Sequence, residues 1–218
     1  MGIWRLIMYH PEKLKKVTLL NLIDFEGNSF LNRDKELEDL RFSTLKRLLF
    51  EHPCEDLCII SENLDEKVPN AYNLNVIYEE VKGRYDWKWL DWDSKYKNGN
   101  LNSIVSIKNK FKLEGKEIQN VLVAGQNLAG CVFKTLDYSA LRWAEQGHYT
   151  QIILSMCGDY EVSGLRPEKY MKSFANLYQK IKKSGQWANL DLICDIDDVR
   201  YYNDGIPYVV SNRTPPRS

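Results

Sequence analysis

Hydrophobic positions along the chain follow two patterns: short unbroken apolar runs, and longer stretches in which apolar residues recur every three or four positions. Val17 to Ile23 and Leu57 to Ser61 are runs of the first kind, as a strand covered on both faces requires. Between them Asp34 to Phe50 places Leu37, Leu40, Leu45, Leu48 and Leu49 at helical spacing and is closed by Pro53. A polar loop through Pro69 leads to Asn75 to Val81, which reads as a strand, and Leu101 to Leu113 reads as a helix. Val121 to Ala124 is the next buried strand, Gly125 permits a tight turn, and Ala129 to Glu145 carries Val132, Leu136, Ala140, Leu141 and Ala144 in a helical recurrence. Gln151 to Met156 is a further strand. Pro167 suits the first turn of a helix from Glu168 to Ser184, Gly185 stops it, and Leu190 to Ile196 is the last clear strand. Strands alternating with helices predict an α/β fold with a doubly wound, mostly parallel sheet and helices on both faces.

The length, 218 residues, suits one α/β domain over 1–218, with a lead-in segment 1–16 and a C-terminal tail 206–218 that has turn chemistry before it at Asn203 to Gly205. Lysine plus arginine and aspartate plus glutamate both total 30, so no global charge steers the chain toward nucleic acid or an anionic membrane. Five scattered cysteines, Cys54, Cys58, Cys131, Cys157 and Cys194, suit a reducing cytoplasm better than a disulfide framework. No stretch approaches the roughly 20 apolar residues that span a bilayer. The expectation is a cytoplasmic protein whose partner is a small-molecule substrate, with no nucleic acid and no membrane.

Two places carry candidate chemistry. The apolar run from Val17 ends in Asp24, a carboxylate where a buried strand finishes, which is where open α/β sheets bind ligands. A turn or helix-cap acid is the alternative there. Cys131 falls in the first turn of the helix expected after Gly125, where free N–H groups and the helix dipole favour a thiolate and can hold an oxyanion. Its alternative is a small hydrophobe in the core.

The two segments together resemble the isochorismatase-like cysteine hydrolase family. Leu22, Ile23, Asp24 and Phe25 match the acid that ends that family's first strand, with Phe30 near its following aromatic. Gly125, Cys131, Val132, Thr135, Tyr138 and Gly147 keep the spacing of its nucleophile helix. The resemblance implies strand order 3-2-1-4-5-6, which sets Asp24 and Cys131 across one crevice as general base/acid and nucleophile. It implies a hydrolase of small amide-like substrates that passes through a covalent thiolate intermediate, and a homo-oligomer. It also implies a cis peptide bond in the turn at Gln126 and Asn127, with the backbone N–H groups of Asn127 and Cys131 forming the oxyanion hole.

The family's supporting lysine has no direct match. Leu90 takes its place in the alignment of Ser94, Lys95 and Tyr96, so Lys88, two residues earlier on the same face of an extended segment, is the candidate, with Lys95 as the other. If neither ammonium reaches Cys131, the chain is a catalytically impaired relative acting as a ligand-binding or protein-interaction module. Phe25, Trp89, Tyr96 and Gln126 are candidate substrate contacts. The dense aromatics Trp87, Trp89, Trp92 and Tyr96 suit a pocket, a core or a subunit contact equally. Asp86, Asp91 and Asp93 cancel the charge that a single-strand groove would need. His10, His52 and His148 lie far apart, and no glycine-rich phosphate loop occurs, so neither metal nor nucleotide cofactor is expected.

Overall fold

The run from Val17 onward is buried at every residue to Ile23, so the strand that it forms has to lie in the middle of a sheet. A computed structural model describes residues 14–25, 35–51, 56–62, 72–90, 103–158, 176, 179, 182–183, 189–203 and 206–209. In it β1 (Lys15–Ile23) pairs in parallel with β2 (Leu57–Glu62) on one side and β4 (Lys116–Gly125) on the other. β3 (Asp86–Leu90) extends the sheet beyond β2; β5 (Tyr149–Cys157) and β6 (Leu190–Ile193) extend it beyond β4. The order is β3-β2-β1-β4-β5-β6 with every pair parallel, the doubly wound order expected from the resemblance.

The connections pack α1 (Lys35–Phe50) and α2 (Leu74–Val81) on the β1-to-β3 path, and α3 (Ile104–Leu113) and α4 (Ala140–Glu145) on the return path. Right-handed crossovers put the first pair on one face and the second on the other. Side chains agree: Tyr78 of α2 packs edge-on against Trp87 and Trp89, whereas the ammonium of their neighbour Lys88 lies 5.3 Å over the ring of Phe111 on α3. A separate hairpin, β7 (Arg200–Asn203) and β8 (Ile206–Val209), brackets the turn expected at Asn203 to Gly205. No helix among the described residues is long and apolar enough to cross a membrane.

Three expected elements change. Asn75 to Val81 is helical, because Leu74, Ile77 and Val81 bury one stripe at helical spacing and the Asn73 side chain caps the first turn. The third strand is Asp86–Leu90 instead, where Trp87 and Trp89 alternate with Asp86 and Lys88. The long helix from Ala129 to Glu145 is broken: Leu128–Thr135 winds as a π-helix, shown by Val132 N–H donating to Asn127 O at 3.0 Å, and α4 begins only at Ala140. Most of Glu168 to Ser184 lies outside the described residues.

Candidate functional site at the carboxyl ends of the central strands

Ligand crevices in such sheets open where neighbouring strands send their connections to opposite faces, here between β1 and β4. The two strands converge tightly at that end. Gly125 is needed because a Cβ there would lie 1.9 Å from the Ile23 carbonyl oxygen, and Gln126 N–H donates to the same carbonyl at 3.1 Å. Past this contact β1 ends in Asp24, whose φ of +47° is in the left-handed region, an uncommon backbone for a residue other than glycine. On the far side Asn127 opens the π-helix, its side chain accepting from Gly130 N–H at 2.8 Å. Gly130 leaves room for that cap, since a Cβ would meet the Asn127 side chain at 2.6 Å. Cys131 follows, half-buried.

Asp24 and Cys131 come together: the Asp24 carboxylate stands close enough to act on the Cys131 thiol. The thiol is pushed up to about 12, first by burial, then by hydrogen bonding and charge from Asp24 and by the charge of Glu62, with its own backbone N–H pulling the other way. The resting group is therefore a thiol and not the thiolate that a helix mouth alone suggests. Two further side chains complete the cluster. Glu62, the last residue of β2 and 1% exposed, accepts from Asp24 N–H at 2.9 Å and from the Tyr138 hydroxyl at 2.8 Å. Burial, then the Glu62 charge and hydrogen bond, raise the Tyr138 hydroxyl, with smaller pushes from Asp24 and Cys131. Tyr138 is fixed in turn by Asn21, which donates to its carbonyl at 2.7 Å.

The other expected site residues go elsewhere. Lys88 turns back toward the amino ends of the strands, with its ammonium 2.7 Å from Asp86 and 2.8 Å from Glu114. Burial lowers it, but those two partners outweigh burial and hold it above the usual lysine range. The expected third member is thus not brought to Cys131, because two acids nearer to it claim the charge. Phe25 is 1% exposed, packed edge-on against Phe42 at 5.0 Å and lying 4.6 Å beneath the Arg41 guanidinium. It is a core ring and not a pocket wall. Gln126 is also buried and accepts from Arg41. Trp89 stacks with Trp87 and Tyr78 on the α1/α2 face, opposite the π-helix. Tyr96 and Lys95 lie outside the described residues. The peptide bonds of the described residues are all trans, so the expected cis bond at Gln126 and Asn127 is corrected. Asn127 and Gln126 are the polar replacements in that turn; Asn127 spends its side chain on the nearby Gly130 N–H and Gln126 spends its own on Arg41 of α1.

Glu62, Arg41 and Glu38 were not singled out from the sequence. Glu62 ends the apolar run LCIISE just as Asp24 ends its own, so the same signal of an acid at a strand terminus applied to it. Arg41 and Glu38 fall on the apolar stripe of Leu45, Leu48 and Leu49; both are buried, paired at 2.6 Å, and Arg41 also donates to the Phe25 carbonyl at 2.7 Å. A charged pair on the buried side of a helix marks an internal contact. Tyr138 was visible only as a spacing match. Among the described residues no three histidine, cysteine or acidic side chains are grouped so as to hold a metal ion.

No family model matches the chain, and no curated protein matches it. Among solved structures, the chain is similar to one titled "Putative MAR1 ribonuclease from Leishmania major", at 12% identity over 84% of this chain and 83% of that one, with a TM-score of 0.46. It is also similar to the nicotinamidase/pyrazinamidase PncA from Bacillus subtilis, at 15% identity over 78% of this chain and 97% of that one, with a TM-score of 0.41.

Proposed function

We propose that the chain is a cysteine hydrolase that acts without a metal on a small amide-like substrate, with Cys131 as nucleophile and Asp24 as general base and acid. One observation carries the reading: Asp24 and Cys131, far apart in sequence, meet in the crevice between β1 and β4, close enough for the carboxylate to act on the thiol. A resting thiolate is not required for this chemistry. Asp24 takes the thiol proton as the sulfur bonds to the substrate carbonyl carbon, and the carbonyl electrons move to oxygen. Collapse of that adduct breaks the C–N bond, Asp24 returns the proton to the leaving nitrogen, and a thioester-like intermediate remains. Water then attacks the thioester carbonyl carbon, giving one proton to Asp24; collapse breaks the C–S bond, Asp24 returns that proton to the sulfur, and the acid leaves with the thiol restored. The backbone N–H groups of Asn127 and Cys131 are proposed as oxyanion donors.

Intact-mass screening against a panel of small amides tests the reading. Adducts on the wild-type chain that vanish in Cys131→Ala support it; turnover that survives in Cys131→Ala ends it. A second reading, a ligand-binding relative without turnover, is favoured by the high thiol and by Lys88 standing elsewhere. Under that reading a ligand from the panel binds wild type and Cys131→Ala equally and no adduct mass appears.

A further inference from the structure

The backbone of Asp24 has to be held in its left-handed turn by something, because Asp adopts that region only where a local contact compensates. The contact is specific. β2 runs beside β1 with Ser61 opposite Leu22, so Glu62 stands at the level of Ile23, one step short of the turn. From there one carboxylate oxygen accepts the Asp24 N–H and the other accepts the Tyr138 hydroxyl. Tyr138 is itself buried and tied to β1 through Asn21, so the carboxylate is gripped from a fixed point. A carboxylate is costly to bury, and an apolar residue would finish a strand of this kind more cheaply.

Resting on the hydrolase reading above, we propose that Glu62 is a positioning residue: clamped by Tyr138, it pins the Asp24 N–H and so fixes the turn that aims the Asp24 carboxylate at Cys131. The role requires reach as well as charge, since both oxygens are used at once.

The test needs no substrate. The rate of Cys131 alkylation by iodoacetamide at pH 8 is followed by peptide mass in wild type, Glu62→Gln, Asp24→Asn and the double variant. Asp24→Asn speeds alkylation by about tenfold or more, because the acid holding the proton on sulfur is gone. Glu62→Gln speeds it about tenfold in the wild-type background and by a clearly smaller factor, that of the direct charge alone, on top of Asp24→Asn, the mark of action through Asp24. Equal factors in both backgrounds, or no change in either, overturn the proposal. Glu62→Asp keeps the charge but loses the reach and behaves like Glu62→Gln; a wild-type rate in Glu62→Asp overturns positioning in favour of charge alone. Should Glu62→Gln not fold, Tyr138→Phe replaces it, with an effect of about threefold that disappears in Asp24→Asn, and an equal factor in both backgrounds again overturns the proposal. Persistent turnover in Cys131→Ala would end the hydrolase reading while leaving this alkylation result intact, so the two failures are distinguishable.

Discussion

The two ends of the same sheet treat a cysteine and its charged neighbours in opposite ways. At the amino ends of the strands, Lys88 and Lys116 interleave with Asp86 and Glu114, each ammonium meeting both acids, and Lys15 meets Asp56. Cys58 in their midst is raised to about 11, chiefly by burial, with the two lysines pulling the other way. At the carboxyl ends the groups named beside Cys131 are acids, Asp24 and Glu62, and they push in the same direction as burial. Balanced charge makes a brace there; here same-sign charge bends around a sulfur. The difference teaches that proximity of a lysine in sequence says little about its service to a nucleophile when acids of its own strand lie closer.

Removing the sulfur is the largest break in that contrast. Cys131→Ala abolishes covalent adducts and lowers turnover by at least about 10³-fold, while the equivalent Cys58→Ala leaves turnover within about twofold; intact mass and steady-state rates read both. Next comes Asp24→Asn, which keeps a residue tolerant of the left-handed turn and so changes the melting temperature little, yet lowers kcat about 10²- to 10³-fold. Gly125→Ala forces a methyl group into the Ile23 carbonyl and costs about 3 kcal/mol or more in urea unfolding, or prevents folding, because neither strand has room to move.

Acid separates the two ends further. His148 precedes β5 at the amino side, and burial, then the Lys108 charge, depress it to about 4. With a folded value below the ordinary one near 6.5, its contribution is present above that pH and is lost as pH falls from about 6.5 toward 4. After allowing for a partly exposed ring this is about 2 kcal/mol, readable as a pH-dependent difference in unfolding midpoint between wild type and His148→Gln. The thiol of Cys131 has the reverse sign: raised to about 12, it favours folding below about 8.5 and that contribution fades as pH climbs toward 12. The smallest effect is expected for Lys88→Met, about 1 kcal/mol of stability from part-buried pairs, with Cys131 alkylation unchanged. A clear change in Cys131 reactivity in that variant would join the two ends after all.

The central strands were legible because they are largely apolar runs, and the sheet order followed from matching Asp24 and Cys131 to one pattern. The stretch from Asn75 to Trp89 was misread for a physical reason. Its helix is only eight residues long, too short for the stripe of Leu74, Ile77 and Val81 to stand out, and the true strand mixes Trp with Asp and Lys. At the site, Asp24 at the end of β1 and Cys131 after β4 are legible in the sequence, Glu62 carries the same strand-end signal as Asp24 without a pattern to match it, and the roles of residues held by tertiary partners are not legible. Phe25 and Gln126 look like crevice residues until Arg41, arriving from α1, takes the Phe25 carbonyl and the Gln126 side chain. Lys88 looks available until Glu114, 26 positions later, folds against it. Neither contact leaves a trace in local spacing.

The wide winding of Leu128–Thr135 turns the short interval between Asn127 and Cys131 into an angular setting. Deleting one residue there would spare the apolar runs of the sheet and still rotate the sulfur by roughly 80° around the axis of this wide helix. A single lost codon would be enough to part the sulfur from its acid and leave the fold standing.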